Sequence, residues 1–269
     1  MALAGKVVIV TGASSGIGEA AARRLAQGGC RVTLAARRCN ELERVAGEIE
    51  AEGGEALVVP ADVRDWPAIE RVVRTTLDRW GRIDVLLNNA GLGYSSRVAD
   101  LDPAQLREQV DVNLVGVIEC ARAVLPSMIA RRSGHIINVA SLAGMIGLPG
   151  SSVYSATKFA VIGFSDALRR EVRGQGIRVT ALCLGFVATS FSPRLKRIAE
   201  TETGKVQEQS GRPAHLPGVM KASYVADRIA DVIERPRRQL LLPRGWGLLV
   251  RVGQALPWLT DAASARFVK

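Results

Sequence analysis

Thr11-Gly12-Ala13-Ser14-Ser15-Gly16-Ile17-Gly18 follows the apolar run Val7-Val8-Ile9-Val10 and precedes an alanine-rich helical stretch. Glycines in this G-x-x-x-G-x-G spacing have a physical task. They permit a tight turn, let backbone N–H groups approach a pyrophosphate, and let the following helix pack on the strand. The helix N-terminus adds partial positive charge toward an anion. A loop of this kind at the first strand–helix junction predicts a nucleotide-binding α/β fold.

The rest of the chain repeats that unit. Strand candidates are Lys6–Val10, Arg31–Ala35, Ala56–Val59, Ile83–Leu87, His135–Val139 and Arg178–Cys183. They are continuous apolar runs without alternation, which suits strands covered on both faces. Helical patterns lie near 16–28, 40–52, 66–80, 103–131 and 151–174. Strand–helix alternation of this length predicts a single Rossmann-type, doubly wound parallel sheet flanked by helices. Residues 1–243 are read as one dinucleotide-binding and catalytic domain. Within it, 190–222 holds Pro193, Pro213 and Pro217 and has no clean period, which reads as a substrate lid. A helix restarts near Ser223, taken as its N-cap, and Gln239–Leu242 reads as a last strand. Residues 244–269 form a basic, apolar C-terminal tail.

Composition narrows the classes. Of 269 residues, 48% are hydrophobic and 23% charged, which excludes disordered and collagen-like chains. Cys30, Cys39, Cys120 and Cys183 form no C-x-x-C pair and suit a reduced, cytoplasmic protein. His135 and His215 are the only histidines and have no ligand spacing, so no metal site is expected. No apolar run reaches 18 residues, which argues against a spanning helix. The start of the chain moves straight into a strand pattern, without the cleavage site of a signal peptide. A net charge of +10 is compatible with a phosphorylated small molecule, an anionic membrane or nucleic acid. No nucleic-acid-binding module is present to support the last.

Two further patterns carry chemistry. Tyr154-Ser-Ala-Thr-Lys158 places a phenol and an ammonium four residues apart, on one helix face. An ammonium near a phenol favours the phenolate and lowers its pKa, so the phenol can exchange protons with an alcohol or carbonyl oxygen. Ser141 ends the fifth strand, where doubly wound folds present ligand-facing residues.

With the glycine loop, Asn88-Asn89-Ala90-Gly91 after the fourth strand, and Asn113, Ser141, Tyr154 and Lys158 in order, the chain resembles the short-chain dehydrogenase/reductase family. The resemblance runs from residue 5 to about 189, more loosely to 243. It implies hydride transfer between a nicotinamide cofactor and an alcohol or carbonyl carbon. It assigns acid/base work to Tyr154, ribose contact to Lys158, substrate-oxygen contact to Ser141, and a proton-relay water to Asn113. It implies cofactor contacts from Thr11, Gly12, Ser14, Ser15, Gly16, Ile17, Gly18, Asp62, Val63, Asn89, Ala90, Gly91, Tyr154, Lys158, Gly185, Val187 and Thr189. The family carries proline where this chain has Leu184, which removes a fixed φ angle before the nicotinamide loop. A homodimer or homotetramer through the helices near 103–131 and 151–174 is also implied. The alternative is a catalytically silent NADP(H)-binding sensor or regulator.

Cofactor choice turns on the end of the second strand, Leu34-Ala35-Ala36-Arg37-Arg38. NAD-binding folds place an acidic residue there for the ribose 2′-OH. Ala36 removes that carboxylate, and Arg37 and Arg38 suit a 2′-phosphate. NADP(H) is therefore the expected cofactor. The expected substrate is an apolar small-molecule carbonyl or alcohol, contacted by residues 92–97, 142–150 and 190–222. Between 235 and 269, seven basic residues face one acid, Asp261, with leucines and tryptophans interleaved. Such a tail can make a peripheral membrane contact, or pack on the sheet or a second subunit.

Overall fold

The computed structural model describes residues 3–189 and 218–264. Seven strands form a parallel sheet. They are β1 (Val7–Thr11), β2 (Arg31–Ala36), β3 (Glu55–Pro60), β4 (Val85–Asn88), β5 (Gly134–Ser141), β6 (Ile177–Leu184) and a last strand, Gln239–Leu242. Their order is β3-β2-β1-β4-β5-β6 with Gln239–Leu242 at the edge. The direction of winding reverses between β1 and β4, which opens a crevice beyond their C-terminal ends. Val7, Val8, Ile9 and Val10 are at most 1% exposed, as a strand covered on both faces requires.

The helices on one side are α1 (Gly16–Gln27), α2 (Cys39–Ala51) and the later helix Ala222–Glu234. Ala21, Ala22 and Leu25 of α1 pack with Leu42, Val45 and Ile49 of α2 on Val8 and Val32. On the other side lie α3 (Trp66–Trp80), α4 (Pro103–Val110), α5 (Gly116–Ala130) and α6 (Ser152–Glu171). Pro67 in the first turn of α3 and Gly81 at its end, φ 72°, set its limits.

Two expectations change. The helix expected over 103–131 is not uniform: Asp111–Val115 forms a wide π-type turn between α4 and α5. By length and composition Pro103–Ala130 could cross a membrane. Here it is a core helix, with Val117, Cys120, Ala121, Val124 and Met128 buried beside the sheet. The expected N-cap Ser223 lies inside α7 (Ala222–Glu234). Lys221 takes the cap position because β8 (Met220–Lys221) pairs with β7 (Val187–Ala188) and holds that backbone extended. Residues 190–217 of the expected lid lie outside the described residues. Strand Gln239–Leu242 is β9.

The tail forms α8 (Trp246–Ala255) and α9 (Pro257–Ser264). Val250 is buried, Trp246 lies against Gly218, and Gln254 Nε2 donates to the Met145 carbonyl at 3.0 Å. The tail thus packs in part on the body of the protein. Leu248, Val252 and Leu256, spaced four apart, stay exposed on its outer face, as does Trp258.

Candidate active site

The glycine loop lies at the mouth of the crevice. Gly12 and Gly16 have φ of 67° and 60°, which side chains with a Cβ rarely adopt. A Cβ on Gly18 would meet the Gly12 carbonyl oxygen at 2.2 Å, so helix and loop approach as only glycine permits. Ser15 precedes α1 in an extended conformation and makes no side-chain cap, so its hydroxyl does not close over the helix N-terminus. This open cradle fits a pyrophosphate.

Several residues expected to contact a cofactor also brace the cradle. Thr11 Oγ1 accepts from the N–H groups of Asn89 and Ala90 at 3.0 and 3.1 Å and donates to Leu87 O at 3.4 Å. Asn89 Nδ2 donates to the carbonyls of Thr11 and Gly12. Ile17 packs on the core beneath. Gly116 lets α5 approach Val63, whose carbonyl would lie 2.8 Å from a Cβ there. Thr189 arrives over the loop: a Cβ on Gly16 would lie 3.2 Å from Thr189 Cβ. Gly185 N donates to Leu242 O at 2.8 Å. Leu184 pairs with both Ser141 and Leu242, so strand pairing rather than a proline ring fixes this corner.

The two arginines after β2 part company. Arg38 Nη2 donates to Ser14 O at 3.1 Å and Ser14 Oγ at 3.0 Å, which draws a guanidinium over the cradle. Arg37 turns to Glu108 of α4, 3.7 Å away. Asp62 is held by Arg64 at 2.6 Å, which keeps its carboxyl below the usual range.

The structure brings Ser141, Tyr154, Lys158 and Asn113 to this same end of the sheet. Ser141 Oγ accepts from Ala143 N at 3.1 Å and donates to Leu184 O at 3.2 Å. Lys158 Nζ donates to Val139 O at 3.0 Å and lies 5.7 Å from the Tyr154 ring centre. Burial pushes the Tyr154 phenol up to about 12, and a hydrogen bond with Ser141 opposes that rise. Burial lowers Lys158 to about 8. The expectation that the lysine draws the phenol down toward neutrality is not met in this geometry. Desolvation of the phenol dominates, and the ammonium is engaged with a backbone carbonyl.

Asn113 is fully buried in the wide turn. Its Oδ1 accepts from Leu92 N at 2.8 Å and its Nδ2 donates to Leu92 O at 2.7 Å. It also faces Gly91, as does Lys158 Nζ. Its carboxamide therefore clamps the loop after Gly91, and Oδ1 keeps one lone pair for a further donor. No group of metal-ligating side chains occurs among the described residues.

Sequence reasoning missed the buried ladder behind this site. Asn88 Nδ2 donates to Asn138 Oδ1 at 2.9 Å, and Asn138 Nδ2 donates to Ser165 Oγ at 2.9 Å. These bonds tie β4, β5 and α6 together. Polar asparagines inside otherwise apolar strands were the available signal.

Comparison with known proteins agrees with this geometry. A family model described as short chain dehydrogenase matches residues 6–198. The 3-oxoacyl-(acyl-carrier-protein) reductase of Synechocystis is 37% identical over 238 residues, covering 86% of this chain and 96% of that protein. An actinorhodin polyketide ketoreductase crystallised with NADPH is 35% identical, with TM-score 0.81, over 90% of this chain and 97% of that one. A short chain dehydrogenase/reductase from Burkholderia phymatum in complex with NAD has TM-score 0.86 at 26% identity, over 97% and 96% of the two chains. On the fold, the glycine cradle and the family match together, this chain is an oxidoreductase that belongs to the short-chain dehydrogenase/reductase family.

Proposed function

We propose that the protein is an NADP(H)-dependent ketoreductase that interconverts a carbonyl and a secondary alcohol on an apolar small molecule. The observation that carries this reading is the meeting of Ser141, Tyr154 and Lys158 beside the glycine cradle. When bound, the nicotinamide supplies or accepts hydride. Ser141 holds the substrate oxygen. Tyr154 donates its phenolic proton to that oxygen in reduction and takes one back in oxidation. A phenol near 12 stays protonated at neutral pH, as a proton donor must. Lys158 meets the nicotinamide ribose, and Asn113 holds the loop facing it.

Arg38 over Ser14, with Ala36 in place of a carboxylate, supports the 2′-phosphate. Exposed Leu148 and Phe186 near the site support an apolar substrate. Exposed Val115 in the wide turn, Ile118 on α5 and Phe159 on α6 support a homodimer or homotetramer through that face. Four free cysteines support a reducing cytoplasm.

Titration with NADPH and NADH, then a carbonyl panel followed by NADPH absorbance, tests the reading. A charge-assisted phosphate contact contributes about 1.5–3 kcal/mol, so Arg38→Ala is expected to weaken NADPH roughly 10- to 150-fold and leave NADH unchanged. Equal affinity for both nucleotides in the unmodified protein overturns the cofactor assignment. Tight nucleotide binding without turnover on any carbonyl identifies a sensor instead.

A further inference from the structure

Glu108 stands where the two ends of the site meet. Its Oε2 accepts from Tyr94 Oη at 2.5 Å. Its Oε1 is shared by Arg64, at 3.3 Å, and Arg37, at 3.7 Å. Next to it, Gln109 Oε1 accepts from Tyr94 N at 2.6 Å, so two adjacent side chains of α4 grip one tyrosine. The carboxylate is thereby fixed: α4 carries it and Tyr94 holds one oxygen.

Its two arginines are not equivalent. Arg64 has a closer partner in Asp62, at 2.6 Å. Arg37 makes the longest contact of the group and is 53% exposed, so its pair with Glu108 is the most easily exchanged. Arg37 also directly follows the end of β2, the position from which a dinucleotide fold reads the adenosine ribose. A phosphate there is a stronger partner for a guanidinium than a single shared carboxylate oxygen.

We propose that Glu108 competes with the 2′-phosphate of the cofactor for Arg37, and so sets how strongly the enzyme prefers NADP(H) over NAD(H). The inference rests on the NADP(H) reading above. In the nucleotide-bound protein Arg37 turns from Glu108 to the phosphate, while Glu108 keeps Tyr94 and Arg64. The carboxylate thus holds the preference below what the arginines alone would give. Sequence spacing could not show this, because Glu108 lies more than seventy residues from Arg37 along the chain.

Two nucleotide fragments isolate the effect from catalysis. Binding of 2′,5′-ADP and 5′-AMP is measured by calorimetry at low salt, for the unmodified protein, Glu108→Gln, Arg37→Ala and the double variant. Exposed ion pairs contribute up to about 1 kcal/mol, so Glu108→Gln is expected to tighten 2′,5′-ADP about two- to fivefold. Affinity for 5′-AMP is expected to stay unchanged, and the gain to vanish when Arg37 is already alanine. A gain that persists in the Arg37→Ala background shows a general field effect and overturns the competition. Equal shifts for both fragments show a merely structural role and overturn it too. No shift, in a protein that still prefers 2′,5′-ADP, overturns this inference and leaves the cofactor reading standing. If the unmodified protein does not prefer 2′,5′-ADP, the cofactor reading falls first and takes this inference with it.

Discussion

Tyr154 shows how much one side chain's surroundings decide. Its phenol is held near 12 by burial, and Ser141 offsets only part of that rise. Tyr154→Phe removes the hydroxyl and keeps the ring. Turnover is expected to fall by about 10²-fold or more while NADPH affinity holds, checked by steady-state kinetics and nucleotide titration. Normal turnover would remove Tyr154 from the chemistry. The pH profile gives an independent check on the same residue. Alcohol oxidation needs the phenolate, whose fraction grows nearly tenfold per pH unit below its pKa. Oxidation kcat/KM is therefore expected to climb without a plateau between pH 7 and 9, while reduction stays level up to about 8, where Lys158 loses its charge. A plateau in oxidation near neutrality would show that the ammonium controls the phenol after all.

Among the elements, β5 carries function at one end and a vulnerability at the other. Ser141 ends it at the crevice. His135, near its start, is 5% exposed and held at about 3 by burial. Thr180 Oγ1 gives its proton to Arg237 O, so His135 Nε2 must donate to Thr180 and carry the ring hydrogen. The other nitrogen, Nδ1, is buried without a hydrogen-bond partner among the described residues. The folded pKa lies below the unfolded value of about 6.5, so the unfolded chain binds the extra proton. Stability is therefore lost as pH falls below about 6.5, by up to about 1.4 kcal/mol per pH unit until about 3. His135→Gln removes this titration. Its melting temperature, measured from pH 7 to 5, is expected to fall less steeply than that of the unmodified protein. Parallel curves would show that His135 does not govern the acid response.

For the molecule as a whole, the surface that bears on partners is that of α8. Its inner face is seated by Trp246 and Val250, yet Leu248, Val252 and Leu256 leave its outer face apolar as well. Exposed Arg244 and Arg251 flank that face, and the sequence beyond adds Arg266 and Lys269. We propose that this face rests reversibly on an anionic bilayer, with each basic residue near the lipid adding about 1 kcal/mol. The full chain is expected to pellet with anionic vesicles at low salt and to be released by high salt. Replacing Leu248 and Trp258 with serine is expected to abolish pelleting without lowering the melting temperature. No pelleting at low salt would leave the tail as a packing element only.

The sheet was legible because parallel strands buried on both faces must be largely apolar, and Val7–Val10 and Ala181–Leu184 carry that mark in the chain itself. The cradle was legible because Gly12, Gly16 and Gly18 answer steric demands that act within one strand–turn–helix unit. Tyr154 and Lys158 were legible for the same local reason, four residues apart on one helix. What depended on distant segments was not. Thr11 and Asn89 became braces only because β1 and β4 lie side by side. Asn113, in the wide turn, meets Leu92 only because the fold sets the loop after Gly91 against it. Arg37 and Arg38 are neighbours in sequence, but α4 drew one to Glu108 while the cradle drew the other to Ser14. Local sterics and periodicity are written in short stretches of sequence. Desolvation and the choice of hydrogen-bond partner depend on what the fold brings into contact, so tertiary structure alone decided them.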